Sequence, residues 1–246
     1  MRGLSFGVTL LSIAREHPTR MQEHFHAAGK PIRILVHEPA STEKVPAIVL
    51  LHGAGGNAAY WFDRLAPLLT HAQVALYAPL YFDTTGTKHA DLATITDGIH
   101  FPQWLETVDA AMKFAASRSA VDATRLALLG TSLGGFLALA FAAQLSASPD
   151  PAERHRIRCL VELSGGMPEP WRSMAGPDFP PAFLAHGELD DIVPAAYAHD
   201  ADARLRELNV PHQTHILPGE AHWFSNEAQL QLLLAAGEFL TSHLKP

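Results

Sequence analysis

Short runs that are apolar at every position, such as Ala47-Ile48-Val49-Leu50-Leu51 and Leu126-Ala127-Leu128-Leu129, constrain this chain more than any other feature. A strand with one face in water alternates polar and apolar residues, whereas a strand covered on both faces is apolar throughout. Covering both faces takes helices above and below the sheet, which in turn requires crossover connections and a mainly parallel strand order. Runs of this kind at 32–36, 47–51, 74–77, 126–129, 157–163, 182–185 and 213–217 are read as strands. Between them lie segments of helical period at 58–70, 101–117, 133–144, 195–208 and 227–243. The pattern predicts an α/β fold with a mostly parallel central sheet and helices on both faces. The first of these strands is expected to pair antiparallel at the sheet edge. Residues 133–145 are apolar nearly all round, so that helix is expected to be the most buried.

A length of 246 residues with 48% hydrophobic content suits one core. We assign it to residues 31–246, preceded by an N-terminal extension, 1–30. Within the extension Arg2 precedes an apolar stretch at 4–14, and Ser12-Ile13-Ala14 has the small-x-small form of a cleavage site. The stretch reads as a terminal helix of a cytoplasmic protein or, if 1–14 act as a short signal, as the mark of a secreted or periplasmic one. No other stretch nears the roughly 20 apolar residues of a membrane span, so none is expected. A net charge of -7 with no long basic run argues against a nucleic-acid partner. The single Cys159 lies in an apolar run and excludes an intrachain disulfide. A monomer or homodimer is expected. Segments 82–100 and 165–181 fit no regular unit, and loops of that length are expected to wall or partly cover a substrate pocket.

Gly130-Thr131-Ser132-Leu133-Gly134 is a G-x-S-x-G motif that follows one expected strand and opens the most apolar expected helix. That is the setting of a nucleophile elbow, a tight turn that needs residues lacking Cβ on either side and raises the serine hydroxyl above the sheet. A serine hydroxyl is a weak nucleophile at neutral pH and needs a base, and the base needs an orienting carboxylate. Among 15 histidines, His222 stands in a Gly-containing loop after the last strand and before the last helix. Between Ser132 and His222, the segment His186-Gly187-Glu188-Leu189-Asp190-Asp191 offers three acids just past a strand end. Adjacency alone does not separate Asp190 from Asp191 or from Glu188.

Two backbone N–H donors are needed to hold the developing oxyanion, one after the nucleophile and one from an early loop. His52-Gly53-Ala54-Gly55-Gly56 supplies that loop, so Leu133 and Ala54 are the candidate donors, with Gly55 as the alternative to Ala54. The same loop fits a dinucleotide fingerprint, but the acid expected about 20 residues on is missing from Tyr77-Ala78-Pro79. The pairs His24/His26 and His212/His215 lack the partners of a metal site and read as surface residues. The chemistry therefore calls for no metal or organic cofactor. Trp61, Phe62, Tyr81, Phe82, Phe101, Trp104, Trp171 and Trp223 flank the motif loops and divide between pocket and core.

On His52-Gly53-Ala54-Gly55-Gly56, Gly130-Thr131-Ser132-Leu133-Gly134-Gly135, His186-Gly187-Glu188-Leu189-Asp190 with Val193-Pro194, and Gly219-Glu220-Ala221-His222, the chain resembles the dienelactone hydrolase-like branch of the α/β-hydrolases. The likeness runs from about residue 31 to the C-terminus. It implies the α/β-hydrolase fold, Asp190 as the acid, and a small-molecule ester as substrate. Dienelactone hydrolases proper carry a cysteine where this chain has Ser132, so the implied activity is that of a general carboxylesterase. A peptidase or thioesterase of the same fold, or a binding protein that has lost catalysis, are the alternatives.

Overall fold

The computed structural model describes residues 21–245; the apolar stretch at 4–14 lies outside them. Eight strands form one sheet: β1 Met21–Ala27, β2 Lys30–His37, β3 Val45–Leu51, β4 Ala75–Pro79, β5 Val121–Thr131, β6 Cys159–Leu163, β7 Ala182–Gly187 and β8 His212–Leu217. Their spatial order is β1-β2-β4-β3-β5-β6-β7-β8. From β4 through β8 neighbouring strands run parallel, whereas β2 is antiparallel to both β1 and β4.

All seven expected strands are present, and the sheet has one more. Strand β1 occupies the edge, so the strand expected there, β2, lies one place inside it. The domain accordingly begins no later than Met21 and not at residue 31. The reason lies in β1's sequence: only Phe25 and Ala27 of Met21–Ala27 are buried, and His24 and His26 face outward. A half-exposed edge strand lacks the continuous apolar run that marks the others. Ala28 and Gly29, at φ 48° and 73°, turn β1 into β2. A two-residue turn with both φ positive matches the twist of the strands it joins.

The helices are α1 Ala58–Ala72, α2 Leu92–Thr96, α3 His100–Ser117, α4 Leu133–Ser146, α5 Pro151–Arg154, α6 Trp171–Met174, α7 Ala196–Glu207 and α8 Asn226–Leu244. Side chains alternate along each strand, and the alternation divides the core in two. Ala47, Val49 and Leu51 of β3 pack on the side of α3, α4 and α7, while Ile48 and Leu50 pack on the side of α1 and α8. In α4 only Phe136 and Gln144 escape burial, as the near-continuous apolar sequence requires. Segments 82–100 and 165–181 contain the short helices α2 and α6, and the ring of Trp171 in the second stands 6.0 Å from that of Phe101 in the first turn of α3. Among the described residues, no helix is long and apolar enough to cross a membrane.

Candidate active site

Parallel strands put their carboxyl ends on one rim, and the loops that leave β3, β5, β6, β7 and β8 all open there. Strand β5 passes into α4 through Ser132, whose φ of 54° and ψ of -120° lie in a region that L-residues rarely enter. The turn is held because nothing else fits. A Cβ on Gly130 would lie 2.1 Å from the carbonyl oxygen of Gly134, and one on Gly134 would lie 2.1 Å from that of Leu51. The Ser132 N–H donates to Leu163 O at 2.7 Å, locking the elbow to β6. A serine at a helix N-cap commonly spends its hydroxyl on the first-turn amides. Ser132 makes no such bond, and its Oγ instead meets Nε2 of His222 at 3.1 Å.

His222 is buried, and its Nδ1 lies 2.7 Å from Oδ2 of Asp190. An ionised carboxylate only accepts hydrogen bonds, so Nδ1 carries the proton and Nε2 is left to accept from Ser132. Oδ1 of Asp190 accepts the backbone N–H groups of Ile192 at 2.9 Å and Val193 at 2.8 Å. These two bonds aim the other oxygen at His222. Asp191 is exposed, and exposed Glu188 accepts from the Gly219 N–H at 3.3 Å. Of the three acids in the segment, Asp190 is the one brought to the imidazole. The loops carrying the two residues are tied by Leu189 N–H to Glu220 O at 2.8 Å and Glu188 N–H to Leu217 O at 3.0 Å.

The Gly-rich loop after β3 lies against the elbow: a Cβ on Gly53 would sit 3.3 Å from Cβ and 3.8 Å from Oγ of Ser132. The Tyr81 hydroxyl fixes the loop by donating to His52 O at 2.6 Å, and the Tyr81 ring stacks on the His52 ring at 4.0 Å. Burial pushes the His52 imidazole down to about 4, so the ring is neutral and donates from Nδ1 to Gly53 O at 2.8 Å. Among the described residues, no acceptor takes the N–H of Leu133, Ala54 or Gly55 outside regular secondary structure. Segment 82–100 borders the same loop through Ala90 N–H to Ala54 O at 2.9 Å.

The expected pocket aromatics divide. Phe62, Tyr81, Phe82 and Trp104 are core, Trp61, Phe101 and Trp171 pack partly buried against it, and Trp223 stands 71% exposed, edge-on to the His222 ring at 5.2 Å. His212 turns to Asp202 while His215 stacks on Phe183, on opposite faces of β8. Among the described residues, no group of three metal-ligating side chains converges.

Two buried polar residues at this rim were not singled out from the sequence. His186, at the end of β7, places Nε2 2.7 Å from Val193 O and 3.2 Å from Asp190 Oδ2, the atom that also holds His222. Glu162, in the middle of β6, is fully buried, and its carboxyl is pushed up to about 8 by burial, opposed by the Gly165 N–H and reinforced by Asp190. The available signal was a lone acid inside the apolar run Cys159-Leu160-Val161-Glu162-Leu163.

A sequence model of the dienelactone hydrolase family matches residues 32–236. No curated protein matches the chain. Solved structures share its fold. A dienelactone hydrolase-like promiscuous phosphotriesterase from metagenomic libraries has a TM-score of 0.74 at 17% identity, covering 92% of this chain and 99% of that one. A dienelactone hydrolase from Anabaena variabilis has a TM-score of 0.72 at 18% identity, covering 94% and 100%. A carboxylesterase from Lactobacillus plantarum has a TM-score of 0.65 at 15% identity, covering 90% and 98%.

Proposed function

The chain belongs to the dienelactone hydrolase family, and from that premise we propose that it is a serine esterase that cleaves carboxylic esters through an acyl-enzyme on Ser132. One observation carries the reading: Asp190, His222 and Ser132 form an unbroken hydrogen-bonded chain, 2.7 and 3.1 Å, that ends on a hydroxyl released from helix capping. As Oγ attacks the ester carbonyl, its proton passes to Nε2 of His222, and Asp190 stabilises the imidazolium formed. The amides of Leu133 and Ala54, at the N-terminus of α4 and in the loop after β3, receive the oxyanion; losing one such donor costs about 3 to 4 kcal/mol of transition-state stabilisation. Collapse of the tetrahedral intermediate expels the alcohol, which takes the proton back from Nε2. Water then attacks the acyl-enzyme, giving its proton to the same nitrogen, and the second tetrahedral intermediate collapses with return of that proton to Ser132 Oγ and release of the acid.

Imidazole and backbone thus supply base, acid and oxyanion stabilisation, so the cycle asks for no metal or organic cofactor. Exposed Leu189, Ile192 and Trp223 flank Asp190 and His222 in sequence and would contact the apolar part of a small ester. A serine rather than a cysteine nucleophile favours general carboxylic esters over dienelactones. The test is a fluorophosphonate probe with p-nitrophenyl esters. Ser132 is expected to be labelled, and Ser132→Ala to lose labelling and about a million-fold in kcat. Labelling that persists in the variant would overturn the assignment.

A further inference from the structure

Glu162 lies between Gly130 of β5 and Leu184 of β7 in the sheet register, with none of its surface exposed. Its Oε1 accepts the N–H of Gly165, while Oε2 has no partner among the described residues. Its seat is made by missing side chains. A Cβ on Gly135 would lie 3.0 Å from Oε1, and one on Gly165 would lie 2.9 Å from Oε1 and 2.9 Å from the carbonyl oxygen of Ser132. The carboxyl is therefore wedged between the first turn of α4 and the end of β6, whose Leu163 carbonyl holds the Ser132 N–H.

A buried carboxylate with a single N–H donor carries a large desolvation cost, and a neutral acid does not. The nearby charge is that of Asp190, which opposes ionisation. Helix α4, packed on this face, has no titratable side chain, and Gly130 has none. The groups on the remaining neighbours are His186 of β7, His222 in the loop after β8, and His199 on α7, which is exposed. Burial pushes the His186 ring down, so it is neutral.

A neutral Glu162 has an O–H donor at Oε2. His186 stands on the same face of the sheet, two residues past Leu184, the register partner of Glu162. Because Nε2 of His186 lies 2.7 Å from a carbonyl oxygen, that nitrogen holds the ring's proton, and Nδ1 is a bare acceptor with no partner among the described residues. The two groups share one buried face without meeting, and the His186 ring touches Asp190 instead.

We propose that Glu162 is a positioning residue for the Ser132 hydroxyl that works as a neutral carboxylic acid, its carbonyl oxygen clamping Gly165 behind the elbow. Release of that proton places a second buried anion beside Asp190. The proposal rests on Ser132 being the esterase nucleophile.

Glu162→Gln keeps an oxygen for Gly165 but cannot ionise. Its kcat at pH 7 is expected within about twofold of wild type. Wild-type kcat is expected to fall with an apparent pKa near 8, roughly tenfold by one pH unit above the midpoint per decade of lost acid form, while the glutamine variant stays level. Glu162→Leu removes the acceptor of the Gly165 N–H and is expected to cost about 100-fold in kcat with KM within about threefold. Infrared difference spectra between neutral and alkaline pH are expected to show a protonated-acid carbonyl band in the wild type that Glu162→Gln lacks. That band does not depend on turnover, so it reports on Glu162 even if Ser132→Ala overturns the esterase reading. An alkaline limb that survives unchanged in the glutamine variant, or no protonated-acid band at pH 7, overturns the proposal. If the leucine variant does not fold, the glutamine profile and the band decide it.

Discussion

The two ends of β5 carry polar clusters built on opposite rules. Before its start, Arg118 donates from Nε to Glu38 at 2.7 Å and from both terminal nitrogens to Glu23 at 2.9 and 3.0 Å, and Tyr77 donates to Glu38 at 2.6 Å. Two carboxylates there face one guanidinium, and the network closes on itself. Beyond its end, three donors converge on Asp190, Glu162 and His186 keep unspent atoms, and the Ser132 hydroxyl is spent on His222 alone. A closed network has nothing to offer a substrate and contributes to stability. An open one is less favourable to fold but has protons and acceptors to exchange. Substitutions at the first end should move stability and leave catalysis, and substitutions at the second should do the reverse.

Beyond the nucleophile itself, the largest effect is expected at Asp190. Asp190→Asn keeps the shape but lets His222 present the wrong tautomer to Ser132, and a loss of about 10⁴ in kcat follows. Its neighbour Asp191, exposed and turned away, supplies the control: Asp191→Asn is expected to stay within about twofold of wild type. Steady-state kinetics on p-nitrophenyl acetate, with circular dichroism to confirm folding, make the comparison. Equal losses at the two positions would erase the distinction between them.

Next comes the elbow, where activity and stability are coupled by packing. Gly134→Ala drives a methyl group to 2.1 Å from the Leu51 carbonyl oxygen. Backbone on both sides leaves little room to relax, so a loss of about 3 kcal/mol or more is expected in urea unfolding. Gly55→Ala in the facing loop meets open space and is expected to change stability by less than about 1 kcal/mol. A tolerated Gly134→Ala would mean that the turn is looser than these distances require.

What the sequence made legible follows from the same division. Strands covered on both faces leave consecutive apolar residues, so seven of the eight could be read, whereas β1 shows only Phe25 and Ala27 to the core and hides among His24, His26 and Glu23. The elbow was legible because G-x-S-x-G between strand and helix is a local pattern. Asp190 could be separated from Asp191 and Glu188 only by the family resemblance, because the choice depends on which loop residue turns inward, and that is set by the Ile192 and Val193 amides. The polar residues behind the triad escaped notice for a physical reason. Glu162 and His186 reach this rim on the neighbouring strands β6 and β7, and no short spacing along the chain encodes that placement.

The smallest effect is expected at the closed end, and there pH gives the sharper measurement. Burial pushes the Glu38 carboxyl up, but hydrogen bonds from Arg118 and Tyr77 and the Arg118 charge outweigh it, so its titration is lowered overall. A group lowered in the folded state contributes stability in full above its unfolded value and loses it as pH falls through the folded one. Glu38→Gln keeps the hydrogen bonds and removes the charge. Arg118 and Glu38 are partly exposed, at 26% and 18% of their side chains, so solvent screening limits the expected loss to about 1 kcal/mol at pH 7. Urea unfolding at pH 7 and again below pH 4 should show the gap between wild type and variant closing on acidification, with kcat at pH 7 within about twofold. A gap that widens in acid would mean that burial outweighs the pairing at Glu38. A matching fall in kcat would mean that the two ends of β5 are not independent.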